Sequence, residues 1–297
     1  MDTALLKTFL AVASRGSLTA AAEELHLAQS TVTVRLQALE RELDVRLFDR
    51  RRDGVRITEA AIRVRERAQD LLDMEESLFS AARLDASVVQ GDVVVGAPES
   101  ICAFRLPTIL AKLRHEYSLL RVHLVPAGTK DVSRGVLERR FDIGLVLDER
   151  LPPSRLSASM LTRERIAVYV ASDHEIARRP PSVLGDIAQE SLFLLEGGCS
   201  YADRFLRDLS VSTPSAPSVT RFGSIEAVRA CVEAGLGLGV LPEMAARAAE
   251  HQGKIVRVPT LPRPDVPLQV VTDSRRSSSP AVDAVVGVLS PGLMAAD

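Results

Sequence analysis

The chain has 297 residues, 46% of them hydrophobic and 26% charged, with a formal net charge of −2, the composition of an ordinary soluble protein long enough for two or more domains. That balance excludes nucleic-acid binding by bulk charge, and residues 1–60 are neutral too, with nine basic and nine acidic side chains. Cys102, Cys199 and Cys231 are too far apart for a disulfide framework or a CxxC metal site. No apolar run reaches the ~18 residues of a membrane span, and the N-terminus lacks a secretory pattern, so the expected compartment is the cytoplasm.

Residues 1–88 read as helices interrupted by one hairpin. Leu5, Leu6, Phe9, Leu10 and Ala13 share a face of a helix over 4–14, and Arg15-Gly16-Ser17 stops it. Thr19 is placed as the cap of a second short helix ending at His26. A third helix runs from about Gln29 to Leu43. Val32, Leu36, Leu39 and Leu43, spaced four, three and four apart, form a narrow apolar stripe. Its opposite face presents Ser30, Val34, Gln37 and Arg41, flanked by Thr31 and Thr33. Short polar side chains at the start of an exposed helix suit a reader of the DNA major groove, and Val34 suits a thymine methyl. Two short helices joined by a tight turn, followed by an arginine-rich hairpin, strengthen that reading over a plain solvated face.

The hairpin spans 46–58 around the turn signal Asp53-Gly54. Arg50, Arg51, Arg52 and Arg56 are candidate phosphate contacts, partly balanced by Asp49 and Asp53. Thr58 is expected to cap a long helix over 59–84. Val64, Ala68, Leu71, Met74 and Leu78 recur on it at near-heptad spacing, which predicts a dimer seam.

Gln90-Gly91 is read as a hinge. Beyond it, strands are predicted at 93–97, 122–125, 143–147, 166–171, 192–195, 237–241 and 268–272, with helices between most of them. This alternation predicts an α/β domain with a largely parallel sheet, in two lobes around a cleft. The Ser- and Pro-rich stretch 212–218 is a loop. GLGLG at Gly235–Gly239 precedes a strand, which suits close packing rather than a nucleotide loop. The five histidines lack metal-ligand spacing and no catalytic motif appears, so neither a cofactor nor an enzyme is expected.

The run LKTFLAVASRGSLTAAAEELHLAQSTVTVRLQALERELDVRLFDRRRDGVRITEAA resembles, without gaps, the DNA-binding domain of LysR-type transcriptional regulators. GDVVVGAPES, FDIGLV, LEGGCSYADRFL and EAGLGLGVLP resemble that family's two-lobed, periplasmic-binding-protein-like effector domain. The resemblance implies a winged helix-turn-helix over 1–58, a linker and dimerisation helix over 59–88, and an effector domain over 89–297. Lobe one is then about 91–162 with 266–297, and lobe two about 163–265. It implies double-stranded DNA as partner, contacted by Gln29, Ser30, Thr31, Thr33 and Val34 from the third helix and by Arg50, Arg51 and Arg52 from the wing. Val34 stands where many relatives are polar or basic, and Ala61 where they often carry Gly.

The resemblance further implies a small-molecule effector, an anion or carboxylate, lined by Ser100, Ile101 and Thr129 of lobe one and by Cys199, Ser200, Tyr201 and Ser224 of lobe two. Hydroxyls at helix starts fit such a ligand, although Ser100 and Ser224 would serve equally as ordinary caps. A homotetramer built as a dimer of dimers, and contact with RNA polymerase, are implied as well. Two other readings are weighed. In one, Cys199 is a redox sensor, for which the following helix supplies Asp203, Arg204 and Asp208 but no partner thiol. In the other, the chain is a small-molecule binding protein without DNA function.

Overall fold

The computed structural model describes residues 2–51, 54–82, 89–149, 151, 155–196, 198–213, 217–276 and 278–294. The chain divides into two compact units, Met1–Asp85 with Arg276–Ser279 and Ala86–Arg275 with Pro280–Asp297.

The first unit contains α1 (Thr3–Arg15), α2 (Leu18–Glu24) and α3 (Gln29–Leu43), the wing strands β1 (Phe48–Arg51) and β2 (Gly54–Ile57), and α4 (Glu59–Ala82). Asp2 caps α1 through its carboxylate, which accepts from the Ala4 amide at 2.8 Å. Gly16, at φ 62°, ends α1 in the left-handed conformation that glycine adopts freely. The cap of α2 is Ser17 rather than Thr19, because Ser17 is extended and its hydroxyl faces the Ala20 amide, whereas Thr19 already lies inside the helix. That helix ends at Glu24, and His26, at φ 52°, makes the turn into α3.

Val32, Leu36 and Leu39 sink into a core with Leu6, Phe9, Val12, Ala21 and Ala22, closed on the wing side by Leu47 and Phe48. Phe9 and Phe48 meet as tilted rings 5.7 Å apart. Glu40 fixes the wing to α3, its Oε1 accepting from the Leu47 amide at 2.7 Å and the Phe48 amide at 3.3 Å. Thr58 caps α4 through the Ala61 amide at 3.2 Å. Of the predicted dimer seam, Ala68 is buried and Val64 partly so, both packed into this unit's own core. Leu71, Met74 and Leu78 are the uncovered members, and Phe79 is exposed beside them.

The second unit is an α/β fold. Its elements are β3 (Gln90–Ala97), α5 (Glu99–Phe104), α6 (Leu106–Glu116), β4 (Leu119–Pro126), α7 (Thr129–Leu137), β5 (Ile143–Leu147) and β6 (Leu156–Ala171). They continue with α8 (Glu175–Arg178), a 3-10 turn (Leu184–Ile187), β7 (Ser191–Leu195), α9 (Ser200–Ser212), β8 (Ser218–Phe222), α10 (Ile225–Glu233), β9 (Leu238–Pro242), α11 (Glu243–His251), β10 (Ile255–Arg257), β11 (Asp265–Asp273) and α12 (Pro280–Met294).

The strands run β4-β3-β5-β11-β6-β9-β7-β8, with β10 also on β6. The sheet is mixed rather than largely parallel. β3, β4 and β5 are parallel to one another, as are β7, β8 and β9, but β11 and β6 join the two sets through antiparallel ladders. β6 begins ten residues before the predicted 166. Its first part pairs with β11, and Ile166–Tyr169 pair with β9, so one strand joins the two parallel sets. Gln90-Gly91 is no hinge: the two residues pair with Leu119 and Leu120 at the start of β3. Gly237, at φ 153°, lies so close to the Ser191 carbonyl that a Cβ would stand 2.2 Å from its oxygen, which is the packing role expected for GLGLG.

A buried ion pair joins the start of α6 to β6. Arg105 Nε donates to Glu164 Oε1 at 2.7 Å, with both side chains under a tenth exposed. Among the described residues no helix is long and apolar enough to cross a membrane, and no three His, Cys, Asp or Glu side chains group as metal ligands.

Candidate DNA interface and effector cavity

α3 presents its N-terminal half outward. Gln29 and Ser30 are exposed, Thr31 and Thr33 half-buried, and Val34 is 60% exposed. Exposing that much isopropyl surface is unfavourable unless a partner covers it. Ala28 supplies no side-chain cap, so the first amides of α3 are left for water or an anionic partner. Thr33 Oγ1 donates back to the Gln29 carbonyl at 3.1 Å. The Gln29 side-chain amide, at the exposed start of the helix, makes no hydrogen bond among the described residues.

In the wing, Arg50 and Arg51 belong to β1, paired with Val55 and Gly54. Their side chains, and all of Arg52 and Asp53, lie outside the described residues. Arg56 stands directly opposite Asp49, an arrangement that partly neutralises it.

The second unit holds a cavity of about 380 Å³. It opens at the carboxyl ends of the parallel strands β3, β4, β5, β7 and β8, where the loops after Ala97, Pro126, Leu195 and Phe222 converge. Ligands of doubly wound sheets bind at such a place because strand ends give way to helix N-termini there. Thr129, at the start of α7, faces Cys199, Ser200 and Tyr201, at the start of α9. Neither helix has a side-chain cap.

Contacts cross the cleft at several points. Ser200 Oγ donates to the Leu147 carbonyl, Arg204 pairs with Glu149 at 3.2 Å, and the Ile225 amide donates to Glu99 Oε2 at 3.2 Å. Gly128 and Gly198 approach so closely that a Cβ on Gly128 would stand 3.0 Å from the Gly198 carbonyl oxygen.

The other expected lining residues sit elsewhere. Ile101 is fully buried in the core of the second unit. Ser100 is buried behind the wall, and Ser224 gives α10 no side-chain cap. Glu99, at the start of α5, fills that capping place. The Ser100 and Tyr201 hydroxyls are buried near one another, Tyr201 also beside the Cys199 thiol, and neither makes a hydrogen bond of good geometry among the described residues. An unpartnered buried hydroxyl costs about 1–3 kcal/mol, which a ligand group can recover. Burial pushes the Tyr201 phenol well above its usual range and the Cys199 thiol up to about 11. A sensing cysteine needs a stabilised thiolate, so this environment works against peroxide chemistry at Cys199. Cys102 is likewise raised to about 11 by burial.

Sequence reasoning missed Glu99, Asp131, Arg140, Phe141, Glu196 and Gly223 on the cavity wall. Glu99 and Glu196 each lie one or two residues past a predicted strand, and that position was the available signal.

Residues 86–293 match the LysR substrate binding domain, and residues 3–62 match the bacterial regulatory helix-turn-helix domain of the lysR family. The chain is 32% identical over 248 residues to the HTH-type transcriptional regulator YwqM of Bacillus subtilis, covering 83% of this chain and 84% of that one. In fold it resembles ArgP from Mycobacterium tuberculosis, with a TM-score of 0.77, 20% identity, and coverage of 99% of this chain and 98% of that one. It also resembles full-length LysG from Corynebacterium glutamicum with bound effector Arg, with a TM-score of 0.68, 17% identity, and coverage of 99% and 98%. A helix-turn-helix with an exposed third-helix face and an α/β unit with a cavity thus occur in one chain, and this protein belongs to the LysR family of DNA-binding transcriptional regulators with an effector-binding domain.

Proposed function

We propose that α3 reads operator bases through Gln29, Ser30, Thr31, Thr33 and Val34, while Arg50, Arg51 and Arg52 hold flanking phosphates, and that a small molecule in the 380 Å³ cavity controls the outcome. The free Gln29 amide suits adenine, and the methyls of Thr33 and Val34 suit thymine. Thr129, Cys199, Ser200 and Tyr201 are the cavity's binding residues, with Ser100 behind Tyr201; Ile101 and Ser224 shape the wall from outside it. The exposed stripe Leu71, Met74 and Leu78 pairs α4 with a second copy, and effector domains pair dimers into a tetramer. Two recognition helices then meet a partly palindromic site. Ligand binding changes lobe closure and with it the spacing or bend of the bound DNA, in the cytoplasm and in contact with RNA polymerase.

One observation carries the ligand half of this reading: a cavity at five strand ends, walled by uncapped helix starts and an unpartnered buried Tyr201 hydroxyl. LysG, solved with Arg bound, is a structural neighbour and supports a metabolite as the signal. The test is a mobility-shift titration of full-length protein on selected operator DNA. Arg50→Ala should weaken all sequences alike, and Gln29→Ala should change base preference. Specific binding by a chain lacking residues 1–58 would contradict the assignment.

A further inference from the structure

The charge on the cavity wall does not suit the simple anion that hydroxyls at helix starts suggest. Four charged side chains line it besides the hydroxyls: Glu99, Asp131, Arg140 and Glu196. Two are already neutralised. Asp131 pairs with Arg134 at 2.6 Å, and Arg140 pairs with Glu138 at 3.2 Å while lying 5.1 Å over the Phe141 ring. Glu99 and Glu196 have no ion-pair partner among the described residues. Glu99 is half-buried and receives only the Ile225 amide. Glu196 is accommodated by the bare Gly223, where a Cβ would stand 3.2 Å from its Oε1.

An anion placed here would lie against two uncompensated carboxylates, whereas an ammonium or guanidinium group would compensate them. The helix starts beside these carboxylates have the reverse character, with the Cys199 amide at the start of α9 donating to the Glu196 carbonyl at 3.3 Å. The uncapped starts of α7 and α9 expose backbone amides at Thr129, Ser200 and Tyr201, and Lys130 stands in the small adjoining hollow that shares these three residues. Independently of the charges, Tyr201 is only 6% exposed, and its hydroxyl, beside Cys199 and Ser100, makes no hydrogen bond of good geometry among the described residues, so it has capacity left for a ligand atom.

We infer that the effector is a small zwitterion of the amino-acid type, its ammonium or guanidinium group held by Glu99 and Glu196 and its carboxylate by the amide-rich starts of α7 and α9. This rests on the cavity being the effector site. A cavity of about 380 Å³ is at the small end for ligand sites, which suits a metabolite of that class. The cation would also bear on the one carboxylate that bridges α5 to α10, so occupancy and the contact across the cleft are coupled at Glu99.

Calorimetry and thermal shift on the full-length protein test this with three matched sets: α-amino acids, the corresponding 2-oxo acids, and the corresponding decarboxylated amines. At least one amino acid should bind, with its 2-oxo acid and its amine each weaker by tenfold or more. Glu99→Gln and Glu196→Gln should each weaken the amino acid by about tenfold, the loss of one charge-assisted contact. The amide keeps an acceptor for Ile225, and position 196 is exposed, so both variants should fold. A 2-oxo acid binding as tightly as its amino acid, amino-acid binding unchanged in both variants, or no binding from any set overturns the inference. Tyr201→Phe separates the two readings. If a pure carboxylate binds and this variant weakens it, the cavity stands and the zwitterion falls. If a ligand binds and none of the three variants changes its affinity, the cavity itself is not the site.

Discussion

Single side chains in this protein carry tasks that the sequence assigns to their neighbours. Ser17 caps α2 in place of Thr19, and Glu99 caps α10 in place of Ser224, because capping follows backbone conformation and reach rather than side-chain type alone. Glu99 also yields a pH prediction. Burial raises its pKa, with Glu226 adding to the effect and the Ile225 amide opposing it, while Tyr201 and Cys102 lie close by. A carboxyl raised above its unfolded value costs stability once ionised. That cost is absent below the unfolded value of about 4.3 and complete above the folded one. Glu99→Gln should therefore melt higher than the parent near neutrality, with the gap closing as pH falls toward 4. Equal melting temperatures at every pH would contradict this. The buried Arg105–Glu164 pair gives a second residue-scale prediction. Arg105→Met leaves a buried charge unpaired and should cost about 3–5 kcal/mol in urea unfolding. Adding Glu164→Met should restore most of it.

At the scale of elements, the helices of the first unit were legible because their apolar residues recur at helical spacing against one small core, as Val32, Leu36 and Leu39 show. The seam on α4 was legible only in part. Period alone cannot separate the face that packs on α1 from the face left open, and Val64 and Ala68 proved to belong to the first. Leu71→Glu with Leu78→Glu should accordingly reduce the mass seen by analytical ultracentrifugation while leaving the far-UV spectrum unchanged; an unchanged mass would place the dimer contact elsewhere. In the second unit, the start of β6 escaped detection because LSASMLTRER is mostly polar and exposed, with Leu161 its one well-buried apolar side chain. β10 has three residues, too few for any periodicity. The direction of the sheet was illegible for a related reason. The antiparallel joint is made by β11 pairing with strands that end a hundred residues earlier, and local pattern does not encode such a pairing.

For the whole molecule, the exposed face of α3 proposed to read DNA could be picked out from sequence, since one helix displays it. The cavity could be read only as a location. Its wall is assembled from the ends of five strands and the loops after four of them, and which side chain of each loop points inward depends on the packing of the others: Glu99 lines the cavity while Ile101, two residues on, fills the core. The molecule as a whole is a LysR-type regulator, and the proposal that it reads DNA with α3 is tested most directly by selection of bound duplexes from a random pool by the full-length protein. The account predicts a partly palindromic consensus whose half-site bases shift when Gln29 is replaced by Ala. Recovery of no consensus, or of an identical consensus after that replacement and after Thr33→Ala and Val34→Ala, would contradict it.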